Sequence, residues 1–371
     1  MSLAGAGWLW SGLLRPGPGR AEPAVVRIDQ GTTLREVGRQ LEELGLVRNR
    51  MLFQFLARWR GLDRRMRVGE YDVAGGLTPG QILDELAFGR PRTSQVTIPE
   101  GLAMDDIARL LAEQQLGEES AFKALFRDPS FIATLGLPGP PPTLEGYLFP
   151  DTYEFRVGVA PREVTSRMTA RFREVFGQDL AEAARSRGMS VHQALTLASI
   201  VEKEAAVAGE RPTIAAVFHN RLKRGMPLQS DPTAIYGLEG RDSRVRPADL
   251  DRDSPYNTYK IQGLPPGPIA NPGRAAIEAA VHPAEGVNAL YFVAGTDHTH
   301  VFSNDYAAHR QAIARLRQAR AAEARAARAS GGGPAGPSMK PSADEDSPDA
   351  EPERAPVEPA TRRGAEAAPP S

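Results

Sequence analysis

The chain has 371 residues, with 45 lysines and arginines against 46 aspartates and glutamates and a net charge of −1. This balance excludes a broad nucleic-acid footprint, and the length leaves room for two or three domains with full cores. There is no cysteine, which excludes a disulfide framework, thiolate metal sites and cysteine nucleophiles.

Residues 3–14, LAGAGWLWSGLL, are apolar and carry two tryptophans, but fall short of the ~20 residues that span a bilayer. Arg15 and Pro16 end the run. No basic stretch precedes it and no small-residue cleavage motif follows, so it is a poor signal peptide. It reads as the end of a membrane anchor that begins upstream, or as a disordered apolar leader.

From Ala24 the pattern becomes regular. Val25 to Ile28 is a short strand, and Thr33 with Glu36 forms a capping box for a helix that Gly45 closes. Asn49 caps a second helix through Trp59, Tyr71 to Val73 is another strand, and Thr78-Pro79 opens a third helix ended by Gly89. Arg58, Arg60, Arg64, Arg65 and Arg67 make a local basic face, read as solvated surface. Part of this unit recurs. VRIDQGTTLREVGRQLEELGL (26–46) aligns without gaps on VTIPEGLAMDDIARLLAEQQL (96–116), and YDVAGGLTPGQIL from Tyr71 resembles YEFRVGVAPREV from Tyr153. The pattern points to an internal duplication of a strand–helix–helix–strand unit.

After Pro161 helices dominate, at about 162–176, 179–187, 190–208 and 212–224. In the third, SVHQALTLASIVEKEAAVA, Ser190 and Gln193 form a capping box and apolar residues cover nearly the whole circumference, so it is central. It carries two acids, Glu202 and Glu204. Two residues apart at ~100° per residue, they point to nearly opposite faces and cannot share one site. Glu202 has small neighbours (Ala198, Ser199, Ala205, Ala206), which would leave room for a large substrate; Glu204 lies beside Leu197 and Ile200. Glu202 is therefore the candidate for a carboxyl in a cleft. Its plain alternative is a surface acid paired with Lys203 or Arg211.

From Met226 the chain is loop-rich, with Pro, Gly, Asn and aromatic residues of the kind that line sites on stiff loops. A short helix over 274–281, a hairpin of 290–293 with 300–302, and a last helix over 305–325 follow. His298 and His300 share a strand face without a third ligand at metal spacing and read as solvent-facing. There is no phosphate loop, dinucleotide fingerprint or nucleophile elbow, so no cofactor or metal is expected. Lone acids beside polar and aromatic loop residues suit carbohydrate chemistry.

LEGYLFPDTYEF (144–155), LASIVEKEA (197–205), VFHNRL (217–222), MPLQSDPTAIYG (226–237), SPYNTYKIQGLPPGPIANPG (254–273) and AVHPAEGVNALYFVA (280–294) together resemble the endolytic murein transglycosylases, the YceG-like cell-wall enzymes. The resemblance implies an α+β fold: a small LysM-like α/β subdomain over 24–92, then a helix-rich catalytic domain with short sheets over 93–328. Residues 1–23 would be a truncated membrane anchor. Residues 329–371, rich in Ala, Pro and Glu, cannot bury enough surface to fold and read as a disordered tail.

The resemblance further implies a lyase that cuts MurNAc–GlcNAc β-1,4 bonds in nascent glycan strands and forms 1,6-anhydroMurNAc ends. The acid is identified with the first acid of the I-V-E-K-E run, Glu202, serving as both acid and base. Gln229, Ser230, Asp231, Tyr256, Asn257 and Tyr259 are expected to hold the glycan, while Glu145 and Glu100 fasten loops. Peptidoglycan strands and peptidoglycan synthases are the implied partners, with the enzyme single-pass in the bacterial inner membrane and its catalytic domain facing the periplasm. Two other readings stay open: an inverting glycoside hydrolase using Glu202 with Asp231 or Glu145, and a non-catalytic glycan-binding scaffold.

Overall fold

The computed structural model describes residues 15–18, 22–29, 31–238, 245–295 and 299–329. The apolar run at 3–14, His298 and the expected tail from 330 lie outside the described residues. No helix among the described residues is long and apolar enough to cross a membrane.

Strand β1 (Ala24–Ile28) buries alternate residues, so Ala24, Val26 and Ile28 face one core. It pairs antiparallel with β2 (Gly69–Val73), Val26 opposite Tyr71. Between them run α1 (Leu34–Glu43), started by the Thr33–Glu36 capping box, and α2 (Arg50–Trp59), capped by the Asn49 side chain. α3 (Pro79–Phe88) follows, with Thr78 at its cap and proline in its first turn. Val26, Leu41, Phe53, Tyr71, Val73, Ile82 and Leu86 form a core of their own.

A second unit repeats the plan. β3 (Thr93–Thr97) pairs antiparallel with β4 (Thr152–Arg156), and α4 (Met104–Glu113), α5 (Glu119–Leu125) and α6 (Pro129–Thr134) lie between. The residues aligned in sequence take equivalent places. Val96 stands opposite Tyr153 as Val26 does opposite Tyr71, and Leu41 and Leu111 are both fully buried. Gly31 and Gly101 turn with φ of 89° and 77°, and Gly76 and Gly158 with 79° and 77°. Matching left-handed turns at matching positions are what a duplicated chain path requires. In the second unit the turn after the first strand carries Glu100, and its Gly101 N–H donates to the Asn271 carbonyl at 2.9 Å.

The remainder is helical. α7 (Pro161–Ser186) is two helical stretches, as the sequence suggests, broken at Gly177, whose backbone (φ 44°, ψ 178°) is not helical. α8 (Val191–Glu204) begins on the Ser190–Gln193 capping box and is buried throughout Ala194–Val201. It stops at Glu204, four residues before the expected end, because Ala205 turns to extended backbone. A 3₁₀ turn (Ala208–Glu210) leads into α9 (Arg211–Lys223), and short helices α10 (Asp231–Ile235) and α11 (Pro247–Leu250) interrupt the loops. α12 (Arg274–Val281) packs along α8. The antiparallel strands β5 (Tyr291–Ala294) and β6 (His300–Ser303) sit under α13 (Tyr306–Ala329). His300 does not face solvent: its side chain is buried, and both its N–H and its Nδ1 meet the Glu210 carboxylate, at 2.8 and 2.7 Å.

Candidate active site

α8 carries both candidate carboxyls on its last turn, and the helical twist sends them to different neighbours. The Glu202 side chain is only 7% exposed. Its Oε1 accepts from Arg211 Nη2 at 2.9 Å and its Oε2 from the backbone N–H of Gly273 at 3.0 Å. Arg211, 13% exposed, also lies 3.8 Å from Glu100, and its Nε is buried with no hydrogen-bond partner among the described residues. The Glu100 carboxyl titrates above its ordinary range, first because of burial and then because Glu202 is close; Arg211 pulls the other way.

On the Ser199 side the space near Glu202 is filled by protein, while Ala206 is exposed. Ser199 Oγ accepts from the N–H of Ile269 at 3.0 Å, which holds the 269–273 segment against α8. A Cβ at Gly273 would run into the Glu100 carboxylate, so any larger residue there would have to push that side chain aside. Ser199 thus meets the 269–273 loop, and Glu202 pairs with Arg211 as a buried acid rather than a surface one.

Glu204 faces the other way. Ser230 Oγ donates to its Oε1 at 2.5 Å. A cavity of about 30 Å³ opens beside it, lined by Glu204, Arg221, Leu228, Gln229, Asp231, Tyr259 and Phe292. Tyr259 donates its hydroxyl to Asp231 Oδ1 at 2.6 Å, and Gln229 Oε1 accepts from Arg221 Nη1 at 3.2 Å. Gln229 takes a left-handed backbone (φ 48°), strained for a non-glycine residue.

Of the six loop residues expected to hold a glycan with Glu202, four gather on the Glu204 side. Gln229, Asp231 and Tyr259 line the Glu204 cavity, and Ser230 bonds Glu204 directly. Asn257 is fully buried and fastens the loop, its Nδ2 donating to the carbonyls of Leu250 and Arg252 at 2.9 and 2.8 Å. Tyr256 leans on Tyr236 with ring centroids 4.6 Å apart.

Glu145 is a fastener. It is buried, accepting from the Met104 N–H at 3.0 Å, Tyr236 hydroxyl at 2.8 Å and Asn271 Nδ2 at 2.9 Å. Burial pushes its carboxyl up to about 7, against the donors that pull it down. A larger groove of about 970 Å³ lies along the start of α8, lined by His192, Gln193, His219 and Asn220 among others. Thr196 on its wall is eight residues, or about 12 Å, from Glu204 along the helix. His192 already spends both ring nitrogens, on the Tyr147 hydroxyl and the Pro266 carbonyl.

Comparison with known proteins bears on this arrangement. The family model described as YceG-like matches residues 26–315. The chain belongs to the YceG-like family. It is 32% identical over 324 residues to the endolytic murein transglycosylase of Bacillus subtilis, covering 84% of this chain and 89% of that protein. It is 34% identical over 320 residues to the protein of that name from Streptococcus pneumoniae serotype 2, covering 78% of this chain but 58% of the other. The crystal structure of a yceG-like protein from Listeria monocytogenes superposes with a TM-score of 0.54 at 32% identity, covering 79% of this chain and 99% of that one.

In this YceG-like chain the loop residues with regular sequence signals were found, but Arg221 was not. It is nearly fully buried in α9, its Nε donates to the Leu290 carbonyl at 2.6 Å and its Nη1 to Leu228 at 2.8 Å, and it forms one wall of the Glu204 cavity. The signal was present in VFHNRL: an arginine on the apolar side of a helix needs buried acceptors. Asn271, fully buried and joined to Leu102, Glu145 and Leu148, is a second such residue.

Proposed function

We propose that this chain is an endolytic lytic transglycosylase of peptidoglycan, cutting the β-1,4 bond between MurNAc and GlcNAc within glycan strands and leaving 1,6-anhydroMurNAc ends. The relatives from Bacillus subtilis and Streptococcus pneumoniae carry the first part of that name. The observation that supports a site for it is the gathering of Gln229, Ser230, Asp231 and Tyr259 on the Glu204 side of α8.

On this reading Glu204 is the acid and base. Its proton goes to the glycosidic oxygen as the C1–O bond breaks and the GlcNAc C4 hydroxyl leaves. The same residue, now a carboxylate, takes the proton of the MurNAc C6 hydroxyl as that oxygen bonds C1. No water enters the product, and one carboxyl suffices for both proton transfers. The Ser230 hydroxyl, donating to Oε1, orients the group. A cavity of about 30 Å³ admits a hydroxyl but not a sugar ring, so the ring lies across its mouth.

A second reading keeps the acid on Glu202, as the family resemblance implies, with Glu100 beside it. Against it stand the two N–H groups that already occupy both Glu202 oxygens. An acid there would have to give up one of them to carry its proton. Muropeptide mass spectrometry on Glu204→Gln and Glu202→Gln decides between them. Loss of anhydro products confined to Glu204→Gln supports the first reading, and loss confined to Glu202→Gln overturns it. Wild-type cleavage in ¹⁸O-water tests the reaction class: labelled reducing ends would point to an inverting hydrolase, for which Asp231 in the same cavity is the available second carboxyl.

We further propose a LysM-like unit over 24–92, supported by its strand–helix–helix–strand order, and a catalytic unit over 93–328. Residues 3–14 are proposed to belong to an inner-membrane anchor that leaves the catalytic unit on the cell-wall side, beside peptidoglycan synthases.

A further inference from the structure

α2 in the first unit does not bury all of its large apolar residues. Leu52, Phe53, Leu56 and Ala57 enter the core, while Met51, Phe55 and Trp59 recur every four residues along the opposite face and are 71%, 57% and 76% exposed. Single exposed apolar residues need no explanation, but three aligned ones ending in a tryptophan form a surface surplus to folding.

The charge flanking the stripe in the sequence is predominantly positive. Arg48, Arg50, Arg58, Arg60, Arg64, Arg65 and Arg67 stand between residues 48 and 67 against one acid, Asp63, in a chain whose net charge is −1. Arg50 and Arg60 have the acidic partners Glu42 and Asp84. Arg58, Arg64, Arg65 and Arg67 are exposed and enter no ion pair among the described residues. Arg58 lies on the same face as the stripe, three residues after Phe55 and seven after Met51.

The described segment 15–18 also reaches this helix. Arg48, two residues before α2, donates its Nε to the Pro16 carbonyl at 3.0 Å. Pro16, which follows the apolar run in the sequence, thus lies beside the residue two positions before α2.

From these observations we infer that the Met51–Phe55–Trp59 face of α2 docks on an anionic bilayer surface. The three side chains enter the boundary between headgroups and acyl chains while the surrounding arginines meet lipid phosphates. Tryptophan suits that boundary, being apolar in its body and polar at its N–H. Arginine stems can lie along the apolar layer while their heads reach the phosphates. A second copy of the chain fits poorly on this face, because it would bring two arginine clusters together. The docking is separate from the anchor proposed above: an anchor holds the chain near the bilayer, whereas this face lays the first unit against it. It is also separate from catalysis, since none of these residues lines either carboxyl site.

The test uses the full chain in a Trp8→Phe/Trp10→Phe background, which leaves Trp59 as the sole tryptophan of the three. Vesicles are phosphatidylcholine alone, or with about one quarter phosphatidylglycerol. Trp59 emission is expected to shift to the blue only on the anionic vesicles, and less at high salt. Arg58→Glu/Arg64→Glu/Arg65→Glu should weaken that binding by at least ~10²-fold, at about five-fold for each surface arginine before reversal is counted. Phe55→Ser/Met51→Ser should weaken it as well, and both variants should melt with the parent because the residues are exposed. Equal binding to both vesicle types, or anionic binding unchanged in the arginine variant, would assign the membrane contact to residues 3–14 and overturn the proposal. A concentration-dependent dimer lost in Phe55→Ser/Met51→Ser would overturn it in favour of a self-association face.

Discussion

Glu202 and Glu204 are separated by one lysine on the same helix turn, and they inhabit different chemistry. Around Glu202 the partners are an arginine and a backbone N–H, contributed by α9 and the 269–273 segment, and both carboxyl oxygens are taken. Around Glu204 a serine hydroxyl donates to one oxygen, and the walls of the small cavity beside it include an amide, a carboxylate, a phenol and the Arg221 guanidinium. One carboxyl closes a joint between elements; the other borders a small cavity, where the proposed reading places a substrate hydroxyl. The difference teaches that small neighbours along a helix signal close approach of something, and the something can be the protein's own backbone.

The sharpest way to break this comparison is to neutralise each carboxyl. Glu204→Gln should lower anhydromuropeptide release by ~10²–10⁴, the usual contribution of one general acid–base group, at nearly unchanged melting temperature. Equal loss in Glu202→Gln, with Glu204→Gln active, would reverse the two roles.

Glu202→Gln should instead show itself in stability. A buried ion pair broken from one side costs ~3–5 kcal/mol, and Glu100, still 3.8 Å from Arg211, offsets part of it. About 2–3 kcal/mol remains, a fall of roughly 5–10 °C in melting temperature, with turnover kept within about tenfold. An unchanged melting curve would remove Glu202 from the joint.

Glu145 sharpens the comparison from a third position, as a buried carboxyl held by three donors. Its native carboxyl titrates at about 7 against an ordinary 4.5, so between those values the native state binds the extra proton. Stability from this group is therefore present below about pH 4.5 and is lost as pH rises through 7. Glu145→Gln should flatten that part of the pH–stability curve, by on the order of 3 kcal/mol between pH 5 and pH 8, while the pH dependence of turnover keeps its shape. A shifted turnover profile would place Glu145 among the reacting groups.

The smallest expected effect is at Ser230. Ser230→Ala removes one hydrogen bond to a carboxyl, worth about 1.5 kcal/mol, and should lower kcat about tenfold with little change in KM. A rise in KM with kcat preserved would make Ser230 a sugar contact instead.

Much of the fold was legible in advance because it rests on local rules. The capping boxes at Thr33, Thr78 and Ser190 start helices where the chain has both a hydroxyl and the acid or amide three residues on. The duplication was visible because equal registers need equal buried positions, as Val26–Tyr71 and Val96–Tyr153 demonstrate. The 100° rotation per residue alone separated Glu202 from Glu204. What surrounds each of them was not legible. The Gly273 N–H and Arg211 reach Glu202 from 71 and 9 residues away in the chain, and Ser230 reaches Glu204 from 26. Periodicity determines which way a side chain points on its own helix, whereas only tertiary packing decides which loop arrives to meet it, because loop paths are set by backbone hydrogen bonds and buried polar anchors such as Asn257, Asn271 and Glu145 rather than by any repeat in the sequence.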